Sequence, residues 1–391
     1  MSVGSAMDAL LVSSEFPPGP GGIGTHAWHV ARQLQARGWE VRVLTPQDYV
    51  PVEEAERFNA EQPFGVVRAP SGKGALRNGV QRLRALRRLT QGRRPDVLVA
   101  SGDRAVWLAA LGRPAGVPFV AFGHGTEFGS PRGWGARVSR WSFGRADLLV
   151  CVSEFTRDLV LAAGVRSRCI KVVPNGADDA RFRVLPEPDA ERCRRRWGLH
   201  GRRVLLTVGQ VSERKGQDTV IRAMPEVLKS VPEALYLIVG LPSRESEYAR
   251  LARELGVDEH VRFLGRREPD EVVELLNVAD LFVMTSRTTP SGDCEGFGIA
   301  AVEAALCGKP AIVSEGSGLV EAIEHGRTGL AVPPDDAAAT ASAIVRLLTD
   351  APMRERMGVA ALERAQSEQT WAHRGEQYDH LLREVVAHKR R

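Results

Sequence analysis

Short apolar runs rich in valine, leucine and isoleucine alternate along the whole chain with longer segments whose apolar positions recur at helical spacing. The runs predict strands near Ala9 to Glu15, Glu40 to Thr45, Phe64 to Ala69, Asp96 to Ser101, Pro118 to Phe122, Asp147 to Val152 and Ile170 to Pro174. A polar, proline-bearing and charged stretch interrupts the pattern. It restarts with strands near Val204 to Val208, Leu235 to Val239, Val261 to Leu264, Leu281 to Thr285, Ala311 to Ser314 and Gly329 to Val332. Such alternation buries its apolar faces by wrapping parallel sheets in helices, so the expected class is α/β.

The restart predicts two domains, residues 1–180 and 201–370, joined by a linker over 181–200. Two helical patterns, Met353 to Gln366 and Trp371 to His388, close the chain with no strand after them. The last segment, 371–391, is expected to rejoin the first domain.

With 391 residues, 43% hydrophobic and 26% charged, the composition is that of an ordinary packed globule. Five cysteines without a C-x-x-C pair or histidines at ligand spacing point to a reducing cytoplasm and to no structural metal. No apolar run reaches the roughly 18 residues of a membrane span, and the start of the chain has no apolar leader. Of 53 lysines and arginines only six are lysine, but the net charge is +5, and no aromatic-interleaved basic patch calls for a nucleic acid. One basic segment, "RNGVQRLRALRRLTQGRR" at 77–94, sets Val80, Leu83, Leu86 and Leu89 near one helical face among arginines. It could rest on anionic lipid at the inner face of the cell membrane, or be a basic surface helix packed on its sheet.

Gly19, Gly21 and Gly24 in "SSEFPPGPGGIGTHAWHV" match the dinucleotide spacing G-x-G-x-x-G. Pro17 and Pro18 interrupt the approach, however, and the second strand ends at Thr45 and Pro46 with Asp48 arriving late for a ribose. Two readings remain: a loop whose backbone closely approaches a sugar or phosphate, or a turn with Thr25 as helix cap.

The segment Ser291 to Asp336 is richer. Glu295 and Glu303 bracket "GFGIAAV"; a helix starting near Gly296 would set them up to about 12 Å apart along its axis, the span from a ribose to the sugar on its diphosphate. Free N–H groups of the first turn could take the diphosphate, and Glu303 could accept two ribose hydroxyls. Equally, Glu295 could serve the helix dipole and Glu303 be a buried, partnered carboxylate. In "LLTVGQVSERKGQDTVIRAM", Lys215 ahead of Gly216 can reach an anion, with Arg214 beside it.

In order along nearly the whole chain, "FPPGPGGIGTHAWHVARQLQARGWEVRVLT", "GHGTE", "CVSEFTRDLV", "VVPNGAD", "VGQVSERKG", "VRFLG", "ADLFVMTS" and the Glu295 to Glu303 element resemble the retaining GT-B glycosyltransferases of family 4. The resemblance implies two facing Rossmann-like domains, the acceptor mostly on the first and a nucleoside diphosphate sugar, either a UDP-sugar or GDP-mannose, mostly on the second. It places Gly22 near the donor phosphate and His124 at the donor sugar. It implies that Glu295 holds sugar hydroxyls, Lys215 the diphosphate and Glu303 the ribose, with backbone contacts from Gly296, Phe297, Gly298 and Ile299. Gln210 stands where the family usually has arginine, and Arg214 is the candidate to compensate. The implied chemistry is transfer to a hydroxyl acceptor by a front-face route with retention, without a metal or other cofactor. A hydrolase, epimerase or phosphorylase on the same donor cleft, or a non-catalytic nucleotide-sugar binder, is the alternative.

Overall fold

A computed structural model describes residues 6–19, 21–47, 50–70, 74–129 and 133–390. Asp48 lies outside these residues. The chain divides into two compact units: the residues up to Asn175 together with those from Trp371 onward, and Gly176–Thr370.

All the strands read from the apolar runs are found. In the first unit these are β1 (Asp8–Ser13), β2 (Glu40–Gln47), β3 (Gly65–Pro70), β4 (Val97–Ser101), β5 (Phe119–Gly123), β6 (Leu148–Cys151) and β7 (Ile170–Val172). They form one parallel sheet in the order β3-β2-β1-β4-β5-β6-β7. The second unit has β8 (Arg203–Val208), β9 (Ala234–Val239), β10 (Val261–Gly265), β11 (Leu281–Met284), β12 (Ala311–Ser314) and β13 (Gly329–Val332). Its parallel order is β10-β9-β8-β11-β12-β13. Central strands such as β1, β4, β5 and β9 are buried along their whole length, because helices cover both faces of a parallel sheet. Each unit has its own apolar core.

The C-terminal helix Trp371–Arg390 completes the first unit. Its Trp371 stacks on His29 at 4.6 Å between ring centres, its Tyr378 hydroxyl lies 3.1 Å from His26 Nε2, and its Asp379 accepts from Trp39 Nε1 at 2.6 Å.

Two local expectations need correction. The stretch 181–200 is no free linker: it carries the helix Glu187–Arg196, belongs to the second unit and buries Phe182, Cys193 and Leu199. Trp197 Nε1 donates to Glu274 at 2.9 Å, and the Asn277 amide bonds the backbone of Arg183 and Leu185. Prolines and charges hid those few apolar anchors. Thr25 is not the cap of its helix, which begins at Gly22; its hydroxyl instead donates to the Gly21 carbonyl inside the first turn. The helix Ala75–Gly92 packs on its sheet, as the second of its two readings expects: Leu86 is fully buried in the first core and Ala85 and Leu89 pack against it, while Val80 stays 41% exposed. Arg84, Arg87 and Arg88 remain outside.

Candidate functional site

In the second unit the strand order reverses between β8 and β11, and in open α/β sheets ligands bind beyond the carboxyl ends of the strands at such a reversal. The loops leaving these two strands bring together residues about eighty positions apart. Lys215 Nζ lies 2.7 Å from Glu295 Oε2. The Arg214 guanidinium bonds the same oxygen and lies 3.2 Å from Asp293. Burial alone would raise the Glu295 carboxyl, but the charges and hydrogen bonds of Lys215 and Arg214 outweigh it and hold it below the usual glutamate range. Burial lowers the Lys215 ammonium, with Glu295 opposing that shift. The result is a cation pair concentrated on one carboxylate and shielded from bulk water.

Two glycines make this geometry possible. Gly216 adopts a left-handed φ of 68°, and a Cβ there would overlap the carbonyl oxygen of Thr285. Thr285 Oγ1 also donates to the Gly216 carbonyl at 2.7 Å, tying the two loops together. Gly298, at φ 85°, would drive a Cβ into Leu319. Its left-handed turn delays the next helix to Ile299–Leu306, three residues beyond the start expected near Gly296. Glu303 therefore sits about 6 Å up the axis from the first helical residue.

The N–H groups of Gly298, Ile299 and Ala300 have no acceptor among the described residues. They are the unpaired donors that every helix start presents. Phe297 is buried, which leaves its backbone as the part that can serve a ligand. Glu303 is half-buried and has neither ion pair nor hydrogen bond for its carboxylate among the described residues. Burial pushes it up to about 7, with Arg181 and Lys215 pulling down and Asp178 pushing up. The expected partnered alternative for Glu303 is not what the structure shows. Gln210 turns its amide to Ser243 Oγ at 2.6 Å and is exposed.

Two supporting residues were not anticipated. Gln217, fully buried, donates to the Gln210 carbonyl at 3.0 Å and accepts from Ser212 N–H at 3.3 Å, fixing the loop before Lys215. Arg287 donates its backbone N–H to the Arg214 carbonyl at 2.8 Å, while its guanidinium holds Asp218 at 2.5 Å and Asp335 at 2.7 Å. A glutamine directly after Lys-Gly at a helix start was the available signal for the first; nothing local marked the second.

The first unit repeats the topology, with its reversal between β1 and β4. A cavity of about 300 Å³ lies beyond the carboxyl ends of β1, β4 and β5, lined in part by Ser14, Glu15, Asp103, Arg104 and Glu127. His124 follows β5 directly; its Nε2 lies 2.9 Å from Ser101 Oγ, and its backbone N–H donates to Glu127. Desolvation lowers His124 to about 4 and raises Glu127 to about 7. His26, packed edge-on to His124 at 4.9 Å, is likewise held neutral, mainly by burial. Gly22 opens the helix Gly22–Ala36, and a Cβ there would meet nothing within 4 Å, so its backbone borders open space. His124 and Gly22 thus stand in one unit, and the Lys215, Arg214, Glu295 and Glu303 group in the other. Among the described residues no group of three or more His, Cys, Asp or Glu is arranged to hold a metal, and no helix is long and apolar enough to cross a membrane.

Two family models match the chain: "Glycosyltransferase Family 4" over residues 20–181 and "Glycosyl transferases group 1" over 189–364. The chain is 34% identical over 377 residues to the GDP-mannose-dependent alpha-(1-6)-phosphatidylinositol monomannoside mannosyltransferase of Mycolicibacterium smegmatis, covering 95% of this chain and 97% of that one. It is 30% identical over 402 residues to glycogen synthase of Mycobacterium tuberculosis, covering 93% and 92%. Among solved structures, Anabaena Alr3699/HepE, crystallised with UDP and glucose, superposes with a TM-score of 0.82 at 22% identity over 97% of this chain and all of the other. This last likeness concerns the fold.

Proposed function

The chain belongs to the GT-B glycosyltransferases of family 4 type, and from that premise we propose that it moves mannose from GDP-mannose to a hydroxyl acceptor with retention at the anomeric carbon. The observation that carries this reading is the Lys215, Arg214 and Glu295 cluster beside an open helix start, with the unpartnered Glu303 one turn further on. Relatives at 30% identity and above, named as GDP-mannose-dependent, support GDP-mannose over a UDP-sugar.

In this reading Glu303 accepts the ribose hydroxyls. The diphosphate lies against Lys215 and the N–H groups of Gly298, Ile299 and Ala300, and Arg214 supplies the cation that Gln210 does not. As the glycosidic bond breaks, charge grows on the leaving phosphate oxygen, where a fixed ammonium and helix-start donors stabilise it. No metal is assigned to that task. Glu295, kept ionised by its two cations, takes sugar hydroxyls, while His124 and Gly22 serve the sugar and phosphate from the first unit. The departing phosphate removes the acceptor proton on the same face, so no carboxylate nucleophile is invoked.

Incubation with GDP-mannose, UDP-glucose and a panel of hydroxyl acceptors, followed by NMR of the product, tests the proposal. A new α-mannoside, formed equally well with excess chelator, is the expected result. Release of free mannose alone would favour a hydrolase; transfer only from UDP-glucose would overturn the donor, and a covalent mannosyl adduct on Glu295 the mechanism.

A further inference from the structure

On a surface helix large apolar side chains normally face the core and small polar ones face water. The helix Trp134–Phe143 of the first unit buries Phe143 in the core but departs from this rule over the rest of its length. Ser139 and Ser142 are buried, at 5% and 0% exposure, whereas Trp134 and Trp141 are 74% and 42% exposed. The arrangement is stabilised locally: Trp107 Nε1 donates to Ser139 Oγ at 3.2 Å, and Ser142 Oγ donates to the Ser139 carbonyl at 3.1 Å.

Trp134, Arg137 and Trp141, at i, i+3 and i+7, form an exposed stripe two turns long. Arg140 and Arg145 flank it, the latter 5.3 Å over the Trp141 ring. Arg137, Arg140 and Arg145 have no carboxylate partner among the described residues. The packed neighbouring helix Asp103–Gly112 carries Leu111, 64% exposed, and its Trp107 meets Trp134 at 6.1 Å.

Charge identifies the occupant. Between Ala75 and Leu148 the sequence has thirteen arginines, no lysine and four acidic residues, although the whole chain carries only +5. The basic charge is therefore concentrated on the segment that holds this stripe. Of its acids, Asp147 pairs with Arg113, and Asp103 and Glu127 line the cavity.

We propose that the helix Trp134–Phe143 is a membrane-docking element, inserting Trp134 and Trp141 at the interface of an anionic lipid bilayer while its arginines bind lipid phosphates. Indole rings are amphipathic and settle at the depth of the headgroups, and arginine stems lie along apolar surface with their charge in the polar layer. The helix Ala75–Gly92, whose Leu86 and Leu89 are used by the core, contributes arginines beside the 41% exposed Val80 and carries no exposed aromatic ring. The inference concerns a surface of the first unit and stands whichever sugar donor the second unit takes.

Co-sedimentation of the full chain with phosphatidylcholine vesicles, with and without phosphatidylglycerol, tests it. The chain is expected to bind the anionic vesicles, with a blue shift in tryptophan emission, and to be released at about 0.5 M salt. Trp134→Ala with Trp141→Ala should weaken partition about tenfold and abolish most of the blue shift. Arg137→Ala with Arg140→Ala should weaken it severalfold and flatten its salt dependence. Both variants should keep the wild-type far-UV spectrum and thermal transition, which separates lost docking from lost folding. No binding of the wild type to anionic vesicles, equal binding of the tryptophan variant, or binding to duplex DNA in preference to the vesicles would each overturn the proposal.

Discussion

The two units place their ionisable groups under opposite regimes. In the second, Lys215 and Arg214 converge on Glu295, so charge is kept and neutralised by pairing. In the first, His26 packs edge to face on His124 and against Phe122, Trp371 and Tyr378, and burial keeps both imidazoles uncharged. The same topology thus carries a paired, charged cluster in one unit and neutral hydrogen-bonding rings in the other. The difference lies at the strand ends: Gly216 brings two cations inward after β8, whereas the last residue of β4 and the first after β5 are a serine and a histidine.

Removing a cation from the paired site should have the largest effect. Lys215→Ala is expected to lower kcat/KM with GDP-mannose by about a hundredfold to a thousandfold, the scale of losing one preorganised electrostatic contact. A loss below tenfold in steady-state kinetics would deny that unit its role in the charged step. Next comes the carboxylate of Glu303. With its pKa near 7 it is ionised above that pH and able to accept ribose hydroxyls fully, so donor affinity should rise about tenfold from pH 6 to pH 8. Calorimetric titration at the two pH values checks this, and Glu303→Gln should flatten the dependence.

The neutral site predicts a stability effect of opposite origin. His124, held near 4, favours folding above the ordinary histidine value near 6.5, and its contribution is lost as pH falls from there toward 4. Glu127, raised to about 7, acts with the other sign: its protonation as pH falls from 7 toward 4.5 favours the folded state. Glu127→Gln removes that offset, so thermal melts should show the first unit losing about 2 kcal/mol more than wild type between pH 6.5 and pH 5. The smallest change expected is at the periphery of the charged site. Gln210→Arg gives up one exposed hydrogen bond to Ser243 and adds a cation, and should tighten GDP-mannose about threefold in a thermal-shift titration. Weaker binding would mean that Arg214 already occupies the phosphate position.

The strands were legible because each is a short apolar run between helical patterns, and runs such as Leu98 to Ala100 or Leu235 to Val239 have no other stable home than a covered sheet. The approach of Lys215 to Glu295 was not legible from spacing, since it depends on β11 pairing with β8. Nor was the late helix start at Ile299: Gly298 reads as a small residue inside a helix until its left-handed turn is seen. The arginine-rich stretch containing Glu187–Arg196 misled because its burial rests on Phe182, Cys193 and Leu199, too few to stand out from the charge around them. The helix Trp134–Phe143, with its tryptophans outward and Phe143 inward, shows the limit of periodicity, which reports where apolar residues recur but not which face the rest of the domain leaves for them.

Because Trp371, Tyr378 and Asp379 fill positions against His29, His26 and Trp39, the half of the polypeptide made first lacks a wall of its own interior until the helix Trp371–Arg390 is translated. The half made later, ending at Thr370, is contiguous and can close on the ribosome. Biogenesis should therefore run against the direction of synthesis, and a nascent chain stalled near Thr370 would present one finished domain and one still waiting for its lid.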